Sequence, residues 1–367
     1  FWPAAITAAI AAAALSLTLG AVDIPVRDVA AVLGSRIGLG EPSSQAEAVV
    51  WGIRLPRILV GFAVGAALGL VGAVLQGLLR NDLADPQLLG IGPGAAIGAA
   101  IGAAAGGVRG SIAGGVFTGV VVAFVLRRLA RRASIDPSRI ILSGVALGAV
   151  LSAWVGFVVF GADRASMPPL EFWLLGSLSG ATWQSFGTAV VFLAVAAAGL
   201  LTATRSLDVM ALGDAEGRHL GVDTGLVTTM VLIGCGAAVG ATVGAVGVVS
   251  FVGLLIPFLM RPIVGHAHRY LLPASMLAGG IFVVLADLAA RSVLEPVEIP
   301  VGLITAAIGG PVLGRLLGRE LAVGAAFVNH RRGPVRGDRR YAAAPFLHLA
   351  HGLEHRLACR QQTHFVQ

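Results

Sequence analysis

Four side chains near the end of the sequence, His348, His351, His355 and Cys359, are spaced so that a helix would place them along one face. Imidazole and thiolate ligands so arranged could hold a metal ion. The same residues arise by chance in a His-rich tail, and a disordered or non-native extension is the expected reading, with no metal site assigned. A second candidate is Asp287, an acid inside the apolar run containing LADLAAR. An intramembrane carboxylate can relay protons, but Arg291 follows four residues later, so a local ion pair is the expected reading. A third is LQGLLRNDLADP, residues 75–86, where Arg80, Asn81, Asp82 and Asp85 interrupt two apolar stretches.

The chemistry available is narrow. All 26 basic residues are Arg. Without a lysine there is no phosphate-cradling loop of the Walker type, no Schiff base and no Ser-Lys dyad. No catalytic residue is assigned, no cofactor is expected on this chain, and any ATP must be used by a partner. Cys235 and Cys359 form neither a disulfide framework nor a thiolate metal set.

The elements that must position these residues are membrane spans. The 367-residue chain is 56% hydrophobic and 12% charged, with a mean hydropathy of +0.87. Apolar runs fall at about 2–22, 57–79, 88–107, 111–130, 139–160, 185–204, 226–246, 247–264, 270–293 and 301–318. The first could also be the core of a signal peptide, but its length favours a span. Only the glycine-rich GATVGAVG divides 226–264 into two crossings. With ten spans and the N-terminus inside, twelve of the nineteen arginines before residue 321 lie on the cytoplasmic side, as the positive-inside rule requires. Those nineteen are nearly balanced by seventeen acids, so the net charge of +7 comes mostly from the tail, and no nucleic-acid binding is read from it. The expectation is an all-α polytopic membrane domain over 1–320, with a cytoplasmic loop at 205–225, and a basic, disordered tail over 321–367.

Small residues recur at every fourth position, at Gly61, Gly65, Gly69, Ala73 and Gly77 and again at Gly90, Gly94, Gly98, Gly102 and Gly106. Such stripes let helix backbones approach closely in lipid. VGAALGLVGAV (64–74) and VGATVGAVGVV (239–249) agree at seven of eleven positions, which is either an internal repeat or the coincidence a Gly/Ala/Val-rich chain permits.

The stretch RLPRILVGFAVGAALGLVGAVLQGLLRNDLADPQLLGIGPGAAIGA (54–99) closely resembles the signature of the FecCD-like permeases of ABC importers for iron siderophores, haem and cobalamin. The likeness continues in ILSGVALGAVLSA, FWLLGSLSGATW, GVVSFVGLLIPFLMRPIVGHAHRYLLPAS, LADLAAR and EIPVGLITAAIGGPV, in order, over most of 50–315. The resemblance implies a type II ABC importer permease of about ten spans in the cytoplasmic (inner) membrane. It implies a second permease subunit as dimer partner, two ATP-binding subunits, an extracytoplasmic substrate-binding protein and surrounding lipid. It also implies a cytoplasmic gate at Asn81 and Leu83. A coupling helix for the ATPase would involve Leu212, Gly213, Asp214, Glu216, Arg218 and Gly221, and binding-protein docking would involve Arg54, Arg57 and Arg291. Asp82 stands where the family usually has Pro. The implied cargo is an iron chelate (a ferric siderophore), with haem or cobalamin as alternatives; a proton-coupled secondary transporter using Asp287 is the rival of another class.

Overall fold

Hydrocarbon offers a backbone no hydrogen bonds, so apolar segments must satisfy their own N–H and C=O groups. In the computed structural model, which describes residues 1–20, 24–38, 43–130, 137–161, 175–294 and 297–315, every regular element among the described residues is helical. The order is α1 (Trp2–Thr18), α2 (Val26–Ser35), α3 (Ser44–Val49), a π-helical turn (Val50–Arg54), α4 (Leu55–Leu79), α5 (Ile91–Ala130) and α6 (Pro137–Gly161). Then come α7 (Trp183–Thr202), α8 (Thr204–Met210), α9 (Asp214–His219), α10 (Thr224–Val246), α11 (Val252–Val264), α12 (His268–Ser292) and α13 (Val301–Arg315). Phe1–Leu313 form one unit; the second, Gly314–Gln367, includes only two described residues.

Among the described residues six helices are long and apolar enough to cross a bilayer, and α1, α11 and α13 are shorter apolar helices. One of the six, α5, is two segments, because Gly106 (φ −153°) and Gly107 (φ +58°) leave the helical region. The halves fold back on each other: Gly102 lies against the Gly110 carbonyl and Gly98 against that of Gly114. Counting both halves gives ten apolar segments, and the division of 226–264 is also present. There α10 ends at Val246, Gly247 takes φ +78°, and Phe251 takes φ +67° before α11 begins.

Helix starts follow local chemistry. Ser43 accepts from the Ala46 N–H (3.2 Å), and Asp223 accepts from the Leu226 N–H (2.9 Å). Thr182 and Ser185 form a reciprocal capping box at α7. The small-residue stripes form the seams. Gly65 of α4 meets the carbonyl of Gly279 in α12, and Gly69 meets that of Ser275. At the repeat offset, Gly240 of α10 meets Gly115 in the second half of α5, and Gly244 meets Ile112. The matched glycines of the two copies therefore do the same work on different neighbours. α4 is the most enclosed of the long helices, and α6 and α7 are the least.

Candidate functional site

Polar side chains concentrate at the two ends of the bundle. At one end α4 stops at Leu79 and Arg80 adopts a left-handed conformation (φ +48°), a position usually given to glycine. The backbone then turns: Arg80 N–H donates to the Gly77 carbonyl (3.3 Å) and Asn81 N–H to that of Gln76 (3.1 Å). The Asn81 side-chain oxygen accepts from the Leu83 N–H (2.9 Å), and an Asp85 oxygen accepts from the Gln87 N–H (2.7 Å). Both expected gate residues thus belong to one closed turn, with Leu83 exposed and Asn81 half-buried. Asp85 is buried, and burial pushes its carboxyl up to about 6 against the pull of the Gln87 and Leu88 N–H groups.

Two charge contacts tie this turn to its surroundings, and a third polar contact lies between neighbouring helices. Arg80 Nη2 lies 3.3 Å from Asp214 Oδ1 at the start of α9. Asp82 Oδ1 lies 3.1 Å from Arg261 Nη1 near the end of α11, at ion-pair distance but without hydrogen-bond geometry. His268, which opens α12, meets Asp208 of α8 through its ring Nδ1 (2.6 Å) and its backbone N–H (3.0 Å). The departure at Asp82 therefore has an intramolecular partner.

The expected coupling segment is two short helices rather than one. Gly213 (φ +131°) separates α8 from α9, and Gly221 (φ +83°) ends the second, a role its sequence position suggests. Asp214 and Glu216 fall in the first turn of α9 and Arg218 in its last, with the polarity the helix dipole favours. Gly217 is buried and packs on Thr224, where a methyl group would be crowded. Leu212 and Leu220 are exposed on either side of α9.

At the other end the geometry bears on two expectations. Asp287 has Arg57 as its nearer partner, in addition to the expected Arg291: Arg57 Nε and Nη2 donate to the carboxylate at 2.8–3.0 Å. Arg291 Nε stands 3.8 Å from it. Arg57 Nη1 also donates to both oxygens of Glu298 (3.0 and 3.1 Å). Arg54 donates to the Leu17 carbonyl, and Arg291 to the Ser16 carbonyl and hydroxyl. Arg54, Arg57 and Arg291 were expected to face an external protein, but they are 4, 6 and 8% exposed and bonded within the chain. The π turn, one residue wider than an α turn, directly precedes α4 and brings Arg54 inward with Arg57. Glu298, the outer partner of Arg57, is 44% exposed.

Sequence reasoning missed Ser16, Asp208, Arg261, His268 and Glu298 as partners in these clusters. A polar residue at a span boundary was the only signal for the last four, and Ser16, inside an apolar run, carried none. His348, His351, His355 and Cys359 lie outside the described residues, and no group of ligating side chains suited to a metal occurs among the described ones. Cys235 is buried and unpaired.

Among the described residues, ten apolar segments packed through glycine seams, with charged clusters at the two ends, define a multi-pass membrane protein. Residues 8–319 match the FecCD transport family. Among relatives, an uncharacterized ABC transporter permease protein, YvrB of Bacillus subtilis, is 35% identical, covering 83% of this chain and 90% of its own. The vitamin B12 import system permease BtuC of Salmonella typhi is 37% identical over 75% of this chain and 85% of its own. The hemin transport system permease HmuU of Yersinia pestis is 35% identical over 74% and 84%. A metal-chelate type ABC transporter, solved in an inward-facing conformation, superposes with a TM-score of 0.75 at 29% identity, covering 86% of this chain and 98% of that one. The chain belongs to the FecCD transport family and is an ABC importer permease.

Proposed function

We propose that this permease carries an iron chelate, a ferric siderophore, across the cytoplasmic membrane, with its N-terminus inside and the Arg80 end facing the cytoplasm. Two ATP-binding subunits engage α8 and α9, a second permease subunit completes the path, and an external binding protein delivers cargo to the end marked by Glu298. The observation that carries this reading is the Arg80–Asp214 contact, which joins the Asn81–Leu83 turn to the helix expected to sit on the ATPase. A gate tied to a docking helix is what an ATP-driven path requires, because nucleotide-dependent movement must reach the membrane. The relatives named for vitamin B12 and hemin support a tetrapyrrole chelate as the second reading.

Asp287 serves as partner to Arg57 in this reading, not as a proton carrier. Uptake into vesicles tests the class. With ATP inside and an uncoupler present, transport persists; transport that collapses with the gradient and ignores ATP supports the secondary-transporter reading instead. The cargo is read by purifying the cognate binding protein and determining which chelate it retains.

A further inference from the structure

A cleft of about 680 Å³ opens between the end of α7, α8 and the start of α12. Arg205 of α8 and Arg269 of α12 both line it. Arg205 has no hydrogen bond or ion pair among the described residues, and Arg269 stacks on Tyr270, 4.5 Å from the ring centroid. The other polar groups of the cleft are already engaged. Thr202 donates to the Gly199 carbonyl and Thr204 to that of Leu201. Asp208, the one acid lining the cleft, directs Oδ1 at His268. Two guanidinium groups are left as donors, and both are exposed.

An apolar track leaves the same cleft. Thr202 shares one face of α7 with Val191 and Val195, at i, i+4 and i+11. Those valines are 59 and 70% exposed, and nothing lies within 4 Å of the place a Cβ would occupy at Gly199 on that track. α7 is among the least enclosed of the long helices, so this face is open to a bilayer-embedded ligand. The exposed Tyr270 beside Arg269 suits the headgroup level, where amphipathic rings settle. A water-soluble protein partner would match the charge but would not use a track running into the bilayer.

We infer that this cleft binds the phosphate of an anionic phospholipid whose acyl chain lies along α7. Guanidinium groups suit phosphate oxygens, and basic pockets between spans on the cytoplasmic side suit anionic headgroups. The inference rests on the orientation proposed above. Its readout is lipid retention, not uptake, so its failure is distinguishable from failure of the importer reading.

The test uses the full permease purified with its ATP-binding subunits, mixed with phosphatidylglycerol, phosphatidylcholine of the same chains, or inorganic phosphate, and examined by native mass spectrometry. Phosphatidylglycerol should be retained in preference to phosphatidylcholine. Arg205→Gln with Arg269→Gln should weaken retention roughly 30-fold, and Arg205→Gln alone roughly fivefold, which covers a double variant that fails to fold. Arg205→Lys with Arg269→Lys should keep most of the affinity. Unchanged retention in the Gln variants overturns the inference, as does equal retention of the two lipids. Inorganic phosphate bound as tightly as phosphatidylglycerol would assign the cleft to a free anion. Loss of the ATP-binding subunits with lipid retention intact would assign it to that protein surface.

Discussion

Arg80 at the end of α4 and Asp214 at the start of α9 are 134 positions apart in sequence and 3.3 Å apart in space. Both are partly exposed, so the pair contributes only about 0.5 kcal/mol to stability. Its use lies in connection: a displacement of α9 pulls on the residue that begins the Asn81–Leu83 turn.

Arg80→Asp should therefore lower ATP-driven uptake while leaving assembly with the ATP-binding subunits intact. Combining it with Asp214→Arg should restore a substantial part. A double variant no better than its parents would show that contact between these positions is incidental.

The pair at the opposite end behaves differently because it is buried. Arg57→Ala would leave Asp287 enclosed without its main partner, at a cost of about 3–5 kcal/mol, and Arg57→Met with Asp287→Leu should recover much of that. Thermal unfolding in detergent measures both. If Arg57→Ala melts like the unaltered protein and only delivery by the binding protein suffers, the arginine is a docking residue after all.

Asp85 gives the turn a pH dependence. Its carboxyl, raised to about 6, is more readily protonated in the folded turn than in an unfolded chain, where carboxyls titrate near 4. The folded turn then binds the extra proton between those values, so its stability falls as pH rises through that window. A shift of this size is worth about 3 kcal/mol. Asp85→Asn should stabilise the turn above pH 6 and flatten the profile, read by hydrogen exchange at the Gln87 amide. An unaltered profile in the variant would place the titration elsewhere.

Leu212 and Leu220 are exposed at the end that the proposed orientation places in the cytoplasm. Replacing both with Glu should reduce recovery of the ATP-binding subunits with the tagged permease several-fold, with little change in its melting temperature. Undiminished recovery would move the docking surface away from α9.

The glycine seams predict opposite signs for similar changes. Gly69→Val places atoms against the Ser275 carbonyl and should cost about 1–3 kcal/mol or more. Gly156→Ala on α6 meets nothing within 4 Å and should gain about 1 kcal/mol from helix propensity. Comparison of their melting temperatures checks both.

Legibility in the sequence followed the range of the interaction. Repeats of small residues at every fourth position are a property of one helix, so the seams at Gly65, Gly69, Gly98 and Gly102 could be read directly. The break at Gly247 was visible as glycine punctuation combined with the side preference of arginine, and that at Gly106–Gly107 as the gap between two apolar runs. Partners were not visible. Asp287 was assigned to Arg291 because four residues is the only neighbour relation a helix reveals by itself, whereas Arg57 arrives from 230 positions away. Asp82 looked anomalous for the same reason, since Arg261 reaches it only after α11 has packed. Residues 24–54 read as a connection because α2 and α3 are too short for a strong periodic signal.

The seam between α4 and α12 also restricts how a passage can form. At Gly65 and Gly279 each backbone rests on the other's carbonyl, with no side chain between them to swing aside. Rotamer changes cannot make room there for a bulky solute, and neither helix can slide without its neighbour. The two must travel as a single plank, so a widening lumen has to appear along a boundary lined by side chains or against another subunit.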